Sequence, residues 1–459
     1  MSGREEKKRE FPRRCRTTAA GSLLLLCLGS AGAGTAELVE GVVPSVAASA
    51  EVDALVAEAL GKNPDLAAAR GEAAAAAARV RPAGALPDPM VTIAYENDGA
   101  APSLGTEPMT RLAFVAQQAF PFPGKLGLAR DVARVDAARV ATRPERVALT
   151  LEGAVRRAYA DLLEAREDLR LVDEQLETWR DIEAVIRARY AAGMGTQQDI
   201  LRAQSERTRL LQQRRRDEAA GKTAASELRR LLFRPPDSPL PMAGRLVVGA
   251  IPPVPAGENV IARALEITPE LKEAALAKER AKLAADLARR NLRPDFVASA
   301  AYMNRGSLPL MWSAAVGVSI PLWAGKKQRP LIVEAESLFE SASARETSLR
   351  RQIQALTEER LIRIDSLAAE AKLDAEGILV QDRLSVDAAL ASYRTGSVPF
   401  VTVLEALGTY FSDRRAAVSR LASLIRAEAD LDEFSVDRSA RTPMASTTAA
   451  AIASASPKM

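Results

Sequence analysis

The side chains that most often carry out chemistry in proteins are scarce in this sequence. Its 459 residues include no histidine and two cysteines, Cys15 and Cys27, which both lie near the N-terminus. A Ser-His-Asp triad, a histidine general base and a histidine-ligated zinc or iron site are therefore excluded. The methionines considered as soft metal ligands show no paired spacing: Met90, Met109, Met194, Met242, Met303 and Met311. We accordingly expect no enzyme activity, no cofactor and no bound metal.

Two carboxylates occupy positions where their negative charge could act on passing ions. Asp199 and Glu405 follow two related segments, Tyr190 to Gly193 and Tyr393 to Gly396. The turns that these segments begin contain glycines that permit a positive φ at a helix end, and hydroxyl residues that can cap the next helix: Gly193, Gly195, Gly396, Thr196 and Ser397. Repeated around a symmetric oligomer, the carboxylates would form acidic rings that favour cations and resist anions. The alternative is that both are ordinary solvated helix residues.

The chain that positions these turns is duplicated. Landmarks recur in the same order, each about 200 residues downstream: Asn63-Pro64 as Thr268-Pro269, Pro89 as Pro294, Gly124-Lys125 as Gly325-Lys326, and Tyr190 as Tyr393. We interpret residues 37–250 and 251–435 as two structural repeats.

Each repeat shows the same succession of patterns. Helical spacing is followed by two short alternating segments and then by long helical segments. The strands are predicted at about 89–97 and 109–120, and again at about 294–303 and 310–320. The long helices are predicted at about 126–190 and 197–232, and again at about 327–392 and 400–434. A heptad-like seam, with Glu183 as its one polar member, predicts close helix packing: Leu162, Ala165, Leu169, Val172, Leu176, Trp179 and Ile186.

The predicted strands have a length typical of membrane-spanning strands. Each runs for about 9–11 residues, which a tilted strand needs to cross a bilayer. Four strands cannot close a barrel of useful bore, whereas a trimer would supply twelve. The fold class we predict is mainly α with a membrane β-barrel, in which three copies complete the barrel. The alternative is a small soluble sheet, which would account equally for the alternation.

The N-terminus resembles a secretory signal peptide. Residues 1–36 contain a cationic stretch, an apolar run and small residues that suit cleavage after Ala33 or Ala36. The same segment has seven cations and three acids, which equals the whole net charge of +4, so we expect no nucleic-acid partner. An uncleaved anchor and lipidation at Cys27 are the alternatives. Residues 436–459 are rich in Ala, Ser and Thr, and are predicted to be disordered.

The order and duplication of these features resemble the TolC-like outer membrane factor family over roughly residues 50–435. The resemblance rests on Gln117-Gln118-Ala119-Phe120-Pro121-Phe122-Pro123-Gly124-Lys125, and on the two Tyr-x-x-Gly segments that lead to Asp199-Ile200-Leu201 and Thr402-Val403-Leu404. It implies a trimeric exit duct in the outer membrane of a Gram-negative bacterium, with a long α-helical barrel below a twelve-stranded β-barrel. The implied partners are outer membrane lipid, a periplasmic adaptor (membrane fusion protein) and an inner-membrane pump.

The resemblance also assigns roles to individual residues. It implies that the two turns form the periplasmic gate and dock the adaptor through Tyr190, Gly193, Gly195, Gln198, Asp199, Tyr393, Gly396, Thr402 and Glu405. Asp199 matches the acidic residue that narrows the aperture in the family, although its counterpart Thr402 is uncharged. The strand-to-helix junctions are Pro121, Gly124, Lys125, Pro321, Gly325 and Lys326, where prolines stop the ladders, glycines turn the chain and lysines sit at the inner-leaflet interface.

The sequence of the first junction indicates which type of pump to expect. Phe122-Pro123-Gly124-Lys125 resembles the heavy-metal efflux branch of the family, which implies a resistance-nodulation-division pump and heavy-metal cations or small toxic compounds as cargo. Two further functions remain open. One is the outer membrane channel of a type I protein secretion system, and the other is a soluble periplasmic coiled-coil scaffold.

Overall fold

The computed structural model describes residues 46–240, 244–248 and 257–435. The predicted signal peptide and the predicted tail, together with Cys15, Cys27 and Met242, lie outside these residues. The elements of the first repeat are α1 (Val46–Lys62), α2 (Pro64–Ala78), α3 (Val80–Ala83), β1 (Met90–Glu96), β2 (Arg111–Phe120), α4 (Lys125–Val140), α5 (Arg143–Ala191) and α6 (Gln197–Leu231). Those of the second are α7 (Gly257–Ile267), α8 (Pro269–Arg290), β3 (Asp295–Asn304), β4 (Met311–Ser319), α9 (Gln328–Leu373), a π-helical segment (Asp374–Ile378), α10 (Leu379–Thr395) and α11 (Phe400–Ser435). The prediction of a mainly helical chain with a small sheet is confirmed.

The long helix predicted over about 126–190 is divided in the structure, so the prediction of one continuous helix is wrong. α4 ends at Val140 and α5 begins at Arg143. Pro144, in the first turn of α5, has no amide hydrogen to donate to the carbonyl of Val140. A proline is well tolerated in the first turn of a helix, because amides there have no helical partner. The chain therefore starts a new helix at this point.

The equivalent segment of the second repeat is helical without a gap, but one turn of it is a π-helix instead of an α-helix. α9 passes into the π-helical segment at Asp374, and α10 continues from Leu379. Asp374 is 3% exposed, and its carboxylate accepts two hydrogen bonds from Arg420 of α11, at 2.6 Å and 2.9 Å. π-turns inside long helices are usually confined to such a single turn. Here the turn coincides with a buried ion pair that ties the helix to α11.

The seam predicted on the first long helix forms part of the core. Val172, Trp179 and Ile186 are at most 1% exposed, and the ring of Trp179 meets that of Phe400 on α11 edge-on at 6.2 Å. Glu183, the polar member of the seam, is 8% exposed and lies 3.4 Å from the guanidinium of Arg187. The seam therefore packs α5 against α6 and α11. Among the described residues, no helix combines the length and the apolar character needed to cross a bilayer.

The four strands form one antiparallel sheet in the order β1-β2-β3-β4. Residues that lie directly opposite each other point to the same face, and the register places Ile93, Phe114, Tyr302 and Trp312 in one row. A second row, near the helical end of the sheet, contains Phe120, Phe296 and Val318. This face is mainly apolar and has aromatic rings toward both ends. The opposite face consists mainly of small and polar residues such as Thr92, Ser299, Ser313 and Ser319, and it also carries valines and methionines.

Candidate functional site

The turn after α5 ends that helix with a hydrogen-bonded glycine motif. Gly193 has a φ of +73°, and its amide donates to the carbonyl of Tyr190 at 3.0 Å. The amide of Met194 donates to the carbonyl of Arg189 at 2.9 Å. This pair of bonds is the Schellman motif, which satisfies carbonyls that the helix end leaves free. A positive φ disfavours residues with a Cβ, so the motif requires glycine at this position.

The turn after α10 has the same backbone. Gly396 has a φ of +81°; its amide donates to the carbonyl of Tyr393 at 3.0 Å, and the amide of Ser397 donates to the carbonyl of Ser392 at 2.9 Å. The recurring Tyr-x-x-Gly segment therefore has a local cause, because the tyrosine supplies a carbonyl and the glycine supplies the left-handed residue. The two tyrosine side chains differ, since Tyr190 is 47% exposed and Tyr393 is 4% exposed.

Two expectations about these turns are corrected. Gly195 does not adopt a positive φ among the described glycines; a Cβ there would instead make a close contact, 3.1 Å from the amide nitrogen of Tyr190. Ser397 does not cap the next helix, because α11 begins only at Phe400. Its hydroxyl instead lies 2.9 Å from that of Thr395 and helps to close the end of α10.

Asp199 is placed by a reciprocal cap at the start of α6. The amide of Asp199 donates to the hydroxyl oxygen of Thr196 at 3.2 Å, and the amide of Thr196 donates to the carboxylate of Asp199 at 3.4 Å. This capping box satisfies two amides that the helix start leaves free. The second repeat lacks a carboxylate at the equivalent position, where Thr402 is half-buried. Gln198 and Glu405 are exposed.

Arg189 joins the two turns and is the residue that sequence analysis missed. Its guanidinium lies 4.5 Å from the centre of the Tyr393 ring and donates to the carbonyl of Tyr393. It also donates to the carbonyl of Met194 at 3.3 Å. A guanidinium over an aromatic face is held by cation–π attraction. The available signal was its position in the last turn of α5, where a cation favours the carbonyl end of the helix.

Asp199 also interacts electrostatically with Tyr393. Burial raises the pKa of the Tyr393 hydroxyl, the negative charge of Asp199 raises it further, and Arg189 opposes both. The turns thus share one cluster, made of Arg189, Asp199 and Tyr393, with the ring of Phe400 5.7 Å from that of Tyr393. This cluster is charged, partly exposed and held by backbone motifs. It can attract or exclude ions and can form contacts with a partner.

The first strand-to-helix junction is internal, which corrects the expected position of its lysine. Lys125 is 8% exposed, and its ammonium donates to the carboxylate of Asp295 and to the carbonyl of Arg293, both at 2.8 Å. It therefore cannot reach lipid headgroups. Lys326, at the second junction, is exposed. β2 ends directly before Pro121, and β4 ends two residues before Pro321.

The glycines of the two junctions also differ. Gly124 has a φ of +91° and precedes α4, whereas Gly325 does not have a positive φ among the described residues and a Cβ there would meet nothing within 4 Å. The junctions lie far from the turns along the chain, because α5 alone has 49 residues and spans about 73 Å. Within the described ranges, no group of three or more acidic, cysteine or histidine side chains is placed to hold a metal ion.

Solved structures with a similar fold are membrane proteins, among them outer membrane channels. The chain is similar to CusC (TM-score 0.72, 18% identity, covering 83% of this chain and 91% of that one). It is also similar to VceC from Vibrio cholerae (0.71, 19%, covering 83% and 95%) and to the open state of MtrE from Neisseria gonorrhoeae (0.70, 17%, covering 83% and 88%). No curated protein sequence matches the chain.

Sequence comparison with families extends this likeness beyond the fold. The model of the family described as outer membrane efflux protein matches residues 55–232 and 260–435. These two segments correspond to the two repeats and include the sheet, the junctions and both turns. The chain therefore belongs to the outer membrane efflux protein family.

Proposed function

We propose that this chain forms a passive trimeric exit duct across the outer membrane and the periplasm, as the channel component of a tripartite efflux pump. The observation that carries the proposal is the four-stranded sheet, whose mainly apolar face is exposed and whose outer strands, β1 and β4, have no further partner among the described residues. In water the apolar face of such a sheet would be uncovered, and in lipid the backbone groups at its two outer edges would be unpaired.

Three copies would resolve both problems. Backbone groups in lipid must be paired, so the free edges of β1 and β4 need a neighbouring strand. Three sheets of four strands give a closed barrel of twelve. Trp312 and Val316 of β4 are 80% and 78% exposed, which suits side chains that face lipid. Aromatic rings toward both ends and a polar opposite face are typical of membrane barrels.

The long helices would continue the duct into the periplasm, with the two turns at its end. Asp199 and Glu405, repeated in three copies, would place acidic rings near the aperture and favour cations. Arg189 holds the two turns of one chain together, so an aperture that opens by separating the repeats must break its contacts with Tyr393. The exposed side of the turns, with Tyr190, Gln198 and Glu405, would dock a periplasmic adaptor.

The partners and cargo follow from the same assignment. The proposed complex contains a homotrimer of this chain, an adaptor and an inner-membrane pump of the resistance-nodulation-division type, which supplies the energy. Its proposed cargo is heavy-metal cations or small toxic compounds, supported by the resemblance of Phe122-Pro123-Gly124-Lys125 to the heavy-metal branch. A host that lacks its own channel can test this. Restored tolerance to metal salts supports that branch, restored tolerance to dyes alone contradicts it, and restored release of a secreted protein favours type I secretion.

Single-channel recording in planar bilayers tests the duct itself. The purified protein should give discrete, weakly cation-selective conductance steps. Asp199→Asn and Glu405→Gln should lower the cation preference, because each removes a carboxylate from the aperture. Glu177→Gln is the matched control, since Glu177 is an exposed helix acid paired with Arg180 at 2.5 Å and away from the turns. Protein that remains soluble without detergent and gives no conductance would contradict the proposal.

A further inference from the structure

The first junction is clamped onto the start of the next strand in the sheet. The amide of Phe122 donates to the carboxylate of Asp295 at 2.7 Å, and the ring of Phe122 stacks on that of Phe296 at 6.4 Å. Lys125 completes the clamp through Asp295 and the carbonyl of Arg293. This junction follows β2, and its contacts belong to β3, which pairs with β2. The clamp therefore connects neighbouring strands.

The second junction has the same sequence pattern but no such contacts. Pro321-Leu322 and Gly325-Lys326 repeat Pro121-Phe122 and Gly124-Lys125, with one additional residue between the two pairs. Leu322 and Trp323 are 80% and 72% exposed, although the turn that carries them is hydrogen-bonded. In the described part of the chain, Lys326 forms no ion pair. The reason is topological, because β4 is the last strand of the sheet and no described strand pairs with its outer edge to receive the junction.

A surface equivalent to the one that the first junction contacts lies at the other edge of the sheet, at the start of β1. Pro89, before β1, recurs as Pro294, before β3, so the equivalents of Arg293, Asp295 and Phe296 are Asp88, Met90 and Val91. Met90 and Val91 are 57% and 69% exposed. Asp88 is also exposed and makes no ion pair with any described residue. The start of β1 is thus an unoccupied counterpart of the surface that the first junction covers.

The acid has moved by two residues between the repeats. In the second repeat it is Asp295, the first residue of β3, and in the first repeat it is Asp88, the equivalent of Arg293, two residues before β1. In the first junction the ammonium of Lys125 contacts the carboxylate of Asp295 and the backbone carbonyl of Arg293, at 2.8 Å each, so it lies close to the chain at both positions. The charges of Lys326 and Asp88 are complementary. Their positions correspond to those of Lys125 and Arg293, where the backbone carbonyl of Arg293 accepts a hydrogen bond from the lysine.

We propose that the second junction is completed by a second copy of this chain: Lys326 pairs with Asp88 of the neighbouring copy, and Leu322 covers Val91 of that copy. This inference rests on the proposed trimeric duct, in which β4 of one copy lies beside β1 of the next. The internal clamp and the clamp between copies then alternate around the ring. Each copy contributes Lys326 to the clamp with one neighbour and Asp88 to the clamp with the other neighbour.

Cross-linking tests the proposal directly. The variant Lys326→Cys/Asp88→Cys, treated with a short bismaleimide, should give covalent dimers and trimers on a denaturing gel. Each single variant controls for the native cysteines. The matched control is Lys326→Cys/Asp98→Cys, since Asp98 lies beyond the opposite end of β1 and should not cross-link. Lys125→Cys/Asp295→Cys should cross-link within one chain and stay at the monomer mass.

Charge reversal provides a second, independent readout. Lys326→Glu should increase the fraction of dissociated trimer on heating, by about two- to fivefold for each pair, and adding Asp88→Lys should reverse the increase. A native mass that remains trimeric, together with no cross-link and no rescue, overturns this inference and leaves the duct intact. A protein that is not trimeric in detergent overturns the proposed function as well.

Discussion

The long helices of the two repeats share a pattern but not an environment. On α5, Tyr190 is the only large apolar side chain exposed among the described residues. On α9, the π-helical segment and α10, a series of them is exposed: Leu331, Val333, Leu338, Ile362, Leu373, Ile378, Val380 and Leu384. α5 is covered by α1, α2, α6 and α11, whereas α9 packs on α7, α8 and α11 and leaves a side open. Duplication thus preserved the elements and changed what covers them.

The largest expected effect contrasts a buried with an exposed side chain. Trp179→Ala removes a ring that is 1% exposed and packs against Phe400, and should lower the free energy of unfolding by about 3–5 kcal/mol. Leu384→Ala on α10, where the side chain is 64% exposed, should cost at most about 0.5 kcal/mol within one chain. Urea unfolding in detergent measures both. Equal losses would show that Leu384 is covered in the purified protein, either within the chain or by a neighbouring copy.

The π-helical segment offers the next test. Asp374→Ala leaves Arg420 without its buried carboxylate and should cost about 2–4 kcal/mol. Glu370→Ala is the control, because Glu370 is 49% exposed and lies 3.6 Å from the same arginine; its loss should be under about 1 kcal/mol. Urea unfolding of each variant measures the two losses of stability. A small loss for Asp374→Ala would mean that the ion pair does not hold α9 to α11.

The link between the two turns should be weaker. Arg189→Lys keeps the charge but loses the planar guanidinium that covers Tyr393, and should loosen the second turn by about 1–2 kcal/mol. Hydrogen exchange at Gly396 and Ser397 should then become faster. Arg187→Lys, on the same helix turn but 62% exposed and 3.4 Å from Glu183, should leave that exchange unchanged. If both variants exchange alike, Arg189 does not connect the repeats.

The smallest effect concerns a charge that only the second repeat has. Glu428 on α11 stands where α6 has Ala225. Burial raises the pKa of the Glu428 carboxyl to about 7, and the charge of Asp432 adds to this. The folded chain therefore holds this proton more tightly than the unfolded chain, so stability should fall as pH rises from about 4.5 to about 7.

Glu428→Gln should remove that part of the pH dependence. At pH 8 the variant should be more stable than the original chain by about 1 kcal/mol, less than the pKa change alone would give because the side chain is half-buried and water screens its charge. At pH 4 the two should be alike. Thermal unfolding at both values provides the comparison, and a difference of the same size at each pH would contradict the assignment.

The sequence predicted what depends on periodicity and missed what depends on distant contacts. The strand bounds differ from the predicted segments by two residues at most, because alternation is a local property. Pro144 was a readable local signal that was overlooked. The burial of Lys125 by Asp295 and the bridge from Arg189 to Tyr393 join residues about 170 and 204 positions apart, and periodicity carries no information on such pairs. The π-helical segment coincides with another such pair, Asp374 with Arg420 of α11, 46 positions apart.

The most direct test of the central claim is the molar mass of the purified protein in detergent, measured by native mass spectrometry. We predict a complex of three chains that requires detergent for extraction, because the exposed face of the sheet and the open side of α9 and α10 each need a neighbouring copy or lipid. A monomer that stays in solution without detergent would contradict the account, and would favour the periplasmic scaffold.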